Sequence, residues 1–305
     1  MGFDARLLEG LRPATQHLYR RALYEFWCFL SEEELDPVYN YEVDRTLVYF
    51  MERRKWTPAK LQHLLAALEK VAPHFKWRLP WAHARVLQLA KKVGVNHTLP
   101  MPWPAAIAVA YWIAMQGFAR VGALILLQWC TGLRPGELTD LEGHHLTRRV
   151  PDGSHARPES RAYVTLGVRH GTKARRAQFV TIDPTVMPTA IFIIESFIRS
   201  TPRGTRLTSA TSTTEMYHWI QKASRALSLP AFTAHSPRAG WATFCRLEGY
   251  SSQYMMQEGR WENEKSMKQY LDAVTVTDLL HTLNHILPFS NYVAADMRHR
   301  FPWKF

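Results

Sequence analysis

The sequence is poor in cysteine and short of acid. Its three cysteines, Cys28, Cys130 and Cys245, stand far apart in hydrophobic surroundings. That spacing excludes a disulfide framework or a metal knuckle and fits reduced core residues. Only 26 Asp and Glu oppose 38 Lys and Arg, which leaves a formal net charge of +12. Such an excess suits a polyanionic partner such as nucleic acid, although a merely basic soluble protein has the same balance. No basic tail accounts for it. Residues 1–100 hold 15 basic and 11 acidic residues, or +4, and the remainder holds 23 and 15, or +8, so the charge lies on folded surfaces. The sequence has no internal repeat and no low-complexity tract. The amino terminus, MGFDARLLEG, lacks the apolar core of a signal peptide. The most apolar segment, AAIAVAYWIAMQGFARVGALILLQWC, is interrupted by Gln116, Arg120 and Gln128. It is expected to form two buried helices separated at Gly117, not a membrane span.

With 305 residues, 47% of them hydrophobic, the chain can build two domains or one large one. The first hundred residues carry helical patterning. Thr57 is placed to cap a helix that Pro58 opens, where a missing N–H costs nothing. Leu61, Leu64, Leu65 and Leu68 then form one apolar face, and Pro73 stops the element. Segments 15–31, 42–54 and 82–93 repeat the theme, with the charged turn SEEELDP between the first two, which predicts four or five short helices. NHTLPMPWP, residues 96–104, is a linker, because each proline favours extended backbone before it. The expected division is a helical domain over 1–99 and a second domain over 100–305. In the second, YVTLGV and AQFVTI, flanked by Gly and basic turns, predict strands of a small antiparallel sheet. Helices resume near Thr189 and continue to about Leu287. The predicted class is mainly α with a small antiparallel β-sheet.

Four segments carry candidate chemistry. In TGLRPGEL, residues 131–138, Arg134 and Glu137 share one face of a helical turn, as an ordinary surface ion pair would. In TAHSPRAGWATF, residues 233–244, Ser236 is a candidate N-cap with Pro237 at the first helical position. That places His235 and Arg238 beside unpaired N–H groups that favour an anion; alone, His235 could equally be a satisfied core histidine. In GTKARR, residues 171–176, a turn between the two predicted strands presents Lys173, with Arg175 and Arg176 near a nucleic-acid backbone. A solvated basic turn has the same sequence. EGRWENEKSMKQY, residues 258–270, is polar and helical and ends in Tyr270, whose role the local sequence leaves open.

Taken in order, these motifs resemble the catalytic domain of the tyrosine recombinases, the lambda-integrase-type enzymes. That family's pattern is an Arg with an acidic residue three later, a hairpin Lys, His-x-x-Arg, a His or Trp, and a Tyr nine residues beyond it. The matching positions are Arg134, Glu137, Lys173, His235, Arg238, Trp261 and Tyr270. The helical first hundred residues look like the family's core-binding domain, with much less specificity. Trp261 stands where many members have histidine; its indole N–H donates a hydrogen bond but is neither acid nor base. The family's frequent Gly-His pair is replaced by Gly259, Arg260 and Trp261, a form that resembles recombinases of eukaryotic mobile elements.

The resemblance implies a site-specific recombinase that cleaves and rejoins duplex DNA through a covalent 3′-phosphotyrosyl link. On it, Arg134 and Arg238 clamp the nonbridging oxygens, Tyr270 attacks, and His235 assists the proton transfer. Lys173 protonates the leaving 5′ oxygen, Trp261 holds a phosphate oxygen, and Glu137 orients the cationic groups. No cofactor, metal or ATP is implied. The sequence shows no carboxylate cluster of the two-metal type, and GTKARR lacks the glycine spacing of a Walker loop. The implied partners are double-stranded DNA, clamped between two domains, and further copies of the chain, as a tetramer in the synapse. The apolar face of Leu279, Leu280, Leu283, Ile286 and Leu287 either docks on a neighbouring protomer or packs at home. The expected location is with DNA, in a nucleus, nucleoid or cytoplasm according to host. Alternatives of other kinds are a type IB topoisomerase or telomere resolvase, a non-catalytic DNA-binding derivative, and a helical interaction protein.

Overall fold

Thr57 and Pro58 open a helix where the sequence places one: the Thr57 hydroxyl accepts from the Lys60 N–H at 3.4 Å. The computed structural model describes residues 5–11, 13–93, 98–148, 162–166, 178–182, 187–208, 212–271 and 273–295. It divides into two units, Met1–Asn96 and His97–Phe305. The first unit consists of α1 (Pro13–Glu32), α2 (Asn40–Arg54), α3 (Pro58–Val71) and α4 (Pro80–Val93). Leu61, Leu64, Leu65 and Leu68 of α3 are buried, as their helical spacing requires. The core is completed by Phe26, Phe29 and Phe50, whose rings meet edge to face with centroids 5.3 and 5.1 Å apart. Asp44 is a buried acid with a structural task. Its carboxylate accepts from the N–H groups of Trp81 and Ala82, at 3.0 and 2.8 Å. It thereby satisfies donors that the first turn of α4 leaves unpaired.

The second unit begins with α5 (Trp103–Ile113) and α6 (Ala119–Thr131). They are joined by a single π turn, Ala114–Phe118, inside which Gly117 takes φ 88°. Together they form a stretch, Trp103–Thr131, that could span a bilayer by length and composition. Many of its side chains, from Ala105 to Ala114 and from Val121 to Cys130, join the core of this unit, while Met115 between them is exposed. The short α7 (Pro135–Thr139) follows, and then an antiparallel sheet in the order β1 (Leu146–Arg148), β2 (Ala162–Leu166), β3 (Gln178–Ile182). Val164 pairs with Leu146 on one side and Val180 on the other, and all three are buried. β1 was not legible in the sequence, since it has three residues and only Leu146 faces inward. The segment containing Lys173, Arg175 and Arg176 connects β2 to β3, and these three residues lie outside the described ones.

Among the described residues the elements after β3 are helices: α8 (Pro188–Ser200), α9 (Thr213–Ala226), α10 (Ser236–Leu247), α11 (Ser252–Gly259), α12 (Glu264–Lys268), α13 (Ala273–Thr282) and α14 (Leu287–Ala295). The class is therefore mainly α with a small antiparallel sheet. Side-chain caps set the starts of α9, α11 and α12, where Ser212, Ser251 and Asn263 accept from Glu215, Tyr254 and Ser266 N–H groups. The apolar face near the carboxy terminus is buried in part, with Leu280 left exposed. Leu283 and Ile286 join the core, Phe289 meets Tyr111 at 5.4 Å, and Ser290 donates to the Pro104 carbonyl at 2.7 Å. Cys130 and Cys245 are buried free thiols, and burial pushes both up to about 12. They are therefore protonated and unreactive at neutral pH.

Candidate functional site

Helix α6 ends at Gly132, in the left-handed region at φ 61°. A side chain there would strike Trp241, whose ring lies 2.5 Å from the position of a Cβ. The turn that follows puts Arg134 at the N-cap of α7. Glu137 reaches back, and its Oε2 accepts from the Arg134 N–H at 2.7 Å while Oε1 accepts from Arg134 Nη1 at 2.9 Å. The spacing of three places them as expected. The carboxylate is held twice by the arginine that precedes it.

Arg238 comes from the first turn of α10 and is almost fully enclosed, at 1% exposure. Its two terminal nitrogens donate to the carbonyls of Gly132 and Gly259, so one side chain ties the end of α6 to the end of α11. Its Nε is buried without a hydrogen-bond partner among the described residues. The Trp261 ring covers the guanidinium at 4.2 Å and stacks against Trp241 at 5.9 Å. Cation–π contact of this kind suits a buried cation that has lost its water. Burial, joined by the nearby charges of Arg134 and Arg260, pushes Arg238 down to about 9. It remains a cation at neutral pH.

Ser236 departs from its expected part. The N-cap of α10 is His235, and Ser236 opens the helix. The Ser236 hydroxyl accepts from the Thr233 N–H at 2.9 Å, so it ties the preceding turn instead of capping the helix ahead. His235 consequently sits at the mouth of α10. The residue is exposed at the surface, but neighbouring atoms crowd its ring; that partial loss of solvent, then the charges of Arg238 and Arg134, lowers its pKa from the usual histidine value. Its neutral form is favoured. Stability falls as pH drops through the ordinary histidine value, because the unfolded chain takes up that proton first.

Tyr270 follows α12 and is half-buried, with its ring 6.3 Å from His235 and 5.6 Å from Trp261. The Arg238 guanidinium lies 5.7 Å from its ring. Its backbone is fixed from both ends: the N–H donates to Met267 at 2.8 Å, and the carbonyl accepts from Thr243 Oγ1 at 3.0 Å. Six predicted residues thus converge: Arg134, Glu137, His235, Arg238, Trp261 and Tyr270. The seventh, Lys173, belongs to the segment not described.

One residue here was missed by sequence reasoning. Arg260 donates from Nη2 to Glu137 Oε2 at 2.6 Å and from Nη1 to the Glu258 carbonyl at 3.1 Å. Its own carbonyl accepts from Arg134 Nη2 at 2.8 Å. It occupies the left-handed position after α11, φ 56° and ψ 44°. The N–H groups of Arg260 and Trp261 close the helix on the carbonyls of Gln257 and Met256, a helix ending that normally takes glycine. A non-glycine residue there costs roughly 1–3 kcal/mol, which its ion pair and hydrogen bonds offset. The glycine stands one position earlier, at 259, where a Cβ would lie 2.0 Å from the Trp261 ring. The only sequence signal for Arg260 was a charged residue between a glycine and a buried tryptophan.

The centre therefore holds three guanidiniums and one carboxylate. Burial alone would raise Glu137, but Arg260, the Arg134 N–H and the Arg134 guanidinium outweigh it and hold the carboxyl below its usual range. A cationic pocket with buried, fixed donors is suited to a phosphate or similar anion. Among the described residues, no three His, Cys, Asp or Glu side chains are grouped to hold a metal ion.

No protein-family model and no curated protein matches the chain. Solved structures do. The crystal structure of a lambda integrase(75-356) dimer bound to a COC′ core site is similar, with a TM-score of 0.56 and 13% identity over 88% of this chain and 93% of that one. A second lambda integrase dimer bound to a COC′ core site gives 0.55 and 13%, over 88% and 75%. A XerH site-specific recombinase bound to palindromic difH substrate, in a post-cleavage complex, gives 0.52 and 11%, over 92% and 80%. This chain has the fold of the tyrosine recombinases.

Proposed function

We propose that this chain is a site-specific DNA recombinase that cuts and rejoins duplex DNA through Tyr270. The observation that carries the reading is the convergence of His235, Trp261 and Tyr270 on Arg238, beside the Arg134–Glu137 pair, within a fold shared with recombinases solved on DNA. Arg134 and Arg238 neutralise the nonbridging oxygens, and their charge is worth most in the five-coordinate transition state. The Tyr270 oxygen attacks phosphorus, the bond to the 5′ oxygen breaks, and a 3′-phosphotyrosyl ester forms. A free phenol is mostly protonated at neutral pH, so attack needs a base. His235, kept neutral by its surroundings, takes that proton. Lys173 protonates the departing 5′ oxygen, with Arg175 and Arg176 on the backbone. The indole N–H of Trp261 donates to a phosphate oxygen. The ester conserves the energy of the broken bond, so rejoining needs no ATP, and the guanidiniums supply the charge that a metal would otherwise bring.

The helical first unit is a second DNA contact in this reading. Exchange takes place in a tetramer on two duplexes, wherever the chain's DNA resides: a nucleus in a eukaryotic host, a nucleoid or cytoplasm otherwise. The test is strand exchange between two duplexes that carry sites selected from a randomised pool. Covalently closed recombinant products are expected without metal or nucleotide. Relaxation of one supercoiled duplex with no exchange would instead identify a type IB topoisomerase, and binding without cleavage a non-catalytic derivative.

A further inference from the structure

We propose that Arg260 is a positioning residue that aims Arg134 at the scissile phosphate by acting through Glu137; this rests on the recombinase reading. The side chain is buried, at 4% exposure, with its Nη2 on Glu137 Oε2 at 2.6 Å. Its two terminal nitrogens donate to Glu137 and to the Glu258 carbonyl, so its nearest charged partner is the carboxylate. It acts on Arg134 by two routes. Its guanidinium occupies the Glu137 oxygen that also takes the Arg134 N–H. Its carbonyl takes Arg134 Nη2. Arg134 is thus held at Nη1 by Glu137 and at Nη2 by Arg260, across 126 residues of sequence. One N–H on each of those nitrogens is left to face an anion.

The left-handed backbone at Arg260 supports the same conclusion. A helix end of this kind is most comfortably made by glycine, yet this position holds the longest cation available. Glycine would keep the backbone carbonyl and lose the pair with Glu137. Without Arg260, Glu137 has Arg134 as its remaining close cation, and the carboxylate becomes easier to protonate and to turn away. The charged groups facing Glu137 are Arg134 from its own turn, Arg260 from the end of α11 and Arg238 from α10. Helix α9, which packs on α7, brings the acid Glu215 in its first turn. Helix α6 carries Arg120 at the end remote from α7.

The experiment has two independent readouts. The first is the ¹³C carboxyl titration of Glu137 in DNA-free protein. Arg260→Gln is expected to move the midpoint up, and Arg260→Lys, which keeps the charge, to bring it back toward wild type. The sign follows from linkage. A carboxyl depressed in the folded state contributes stability above its unfolded value and loses it as pH falls through the folded value. In Arg260→Gln the folded value lies closer to the unfolded one, so the contribution is smaller and its loss is complete at a higher pH. The second readout is single-turnover cleavage of a nicked suicide duplex. Arg260→Gln is expected to slow cleavage about 10–100-fold, the scale typical of a supporting group behind a reacting one, with DNA affinity unchanged. The double variant Glu137→Gln/Arg260→Gln should cleave no more slowly than the slower single variant, since both residues act through one carboxylate.

An unmoved Glu137 midpoint in folded Arg260→Gln overturns the proposal. So does a loss of DNA affinity in step with cleavage, which would make Arg260 a DNA ligand. If Arg260→Gln does not fold, Arg260→Gly, which suits the left-handed backbone and also removes the pair with Glu137, decides in its place by the same midpoint and DNA affinity. Should wild type yield no covalent adduct at all, the recombinase reading fails, and the titration alone decides whether Arg260 governs Glu137.

Discussion

Replacing Arg238 by lysine is expected to lower cleavage about 10²–10³-fold, the usual loss when one fixed donor to a developing oxyanion is removed. The charge is retained, so a loss of this size reports geometry. Arg238 bonds two carbonyls at once, on Gly132 and Gly259, and a single ammonium at the end of a flexible stem does not reproduce that fork. Arg238→Ala goes further. It leaves both buried carbonyls unpaired at about 1–3 kcal/mol each and empties the space beneath Trp261. The expected fall in stability is roughly 2–6 kcal/mol, or several degrees to about 20 °C in Tm for a unit of this size. Thermal unfolding and single-turnover cleavage of both variants check this. A lysine variant that cleaves normally would remove Arg238 from the chemistry and leave it a purely structural tie.

Trp261 carries the second large effect, and two variants divide its roles. The ring is 8% exposed, covers Arg238 and stacks on Trp241. Trp261→Ala is therefore expected to cost about 3–5 kcal/mol as a large-to-small core change. Trp261→Phe keeps an aromatic face over the guanidinium but loses the indole N–H, which makes no hydrogen bond within the described residues. Its stability should fall by less than that of Trp261→Ala, since less buried volume is lost. Its cleavage should fall about 10–100-fold, the worth of one hydrogen bond to a charged group. Equal cleavage by wild type and Trp261→Phe would confine Trp261 to packing.

The legible parts of the fold are those in which local signals agree. Thr57, Pro58 and the leucines after them fix α3, because cap, first-turn proline and apolar spacing all specify the same helix. The strands β2 and β3 announce themselves by alternation between basic turns, while β1, with one buried side chain in three residues, has no period to detect. The site is legible to the extent that its members sit in short motifs at helix ends: Arg134 with Glu137, His235 with Arg238, Trp261 with Tyr270. Arg260 is different. Its partner is 123 residues away, and nothing local marks an arginine as the second cation of a distant glutamate. Ser236 was misplaced as a cap because its hydroxyl had a competing acceptor role with Thr233, and residue type alone does not rank such rivals. The face of Leu283 and Ile286 shows that an amphipathic pattern reports burial without naming the surface that provides it.

The central claim is that Tyr270 becomes joined to DNA. It is tested most directly by incubating the protein with a pool of nicked duplexes of randomised sequence, recovering denaturant-resistant adducts and mapping the modified peptide. The account predicts an adduct linked through a 3′ phosphate to Tyr270, formed by wild type and absent from folded Tyr270→Phe. An adduct on another residue, or one that persists in Tyr270→Phe, would contradict it.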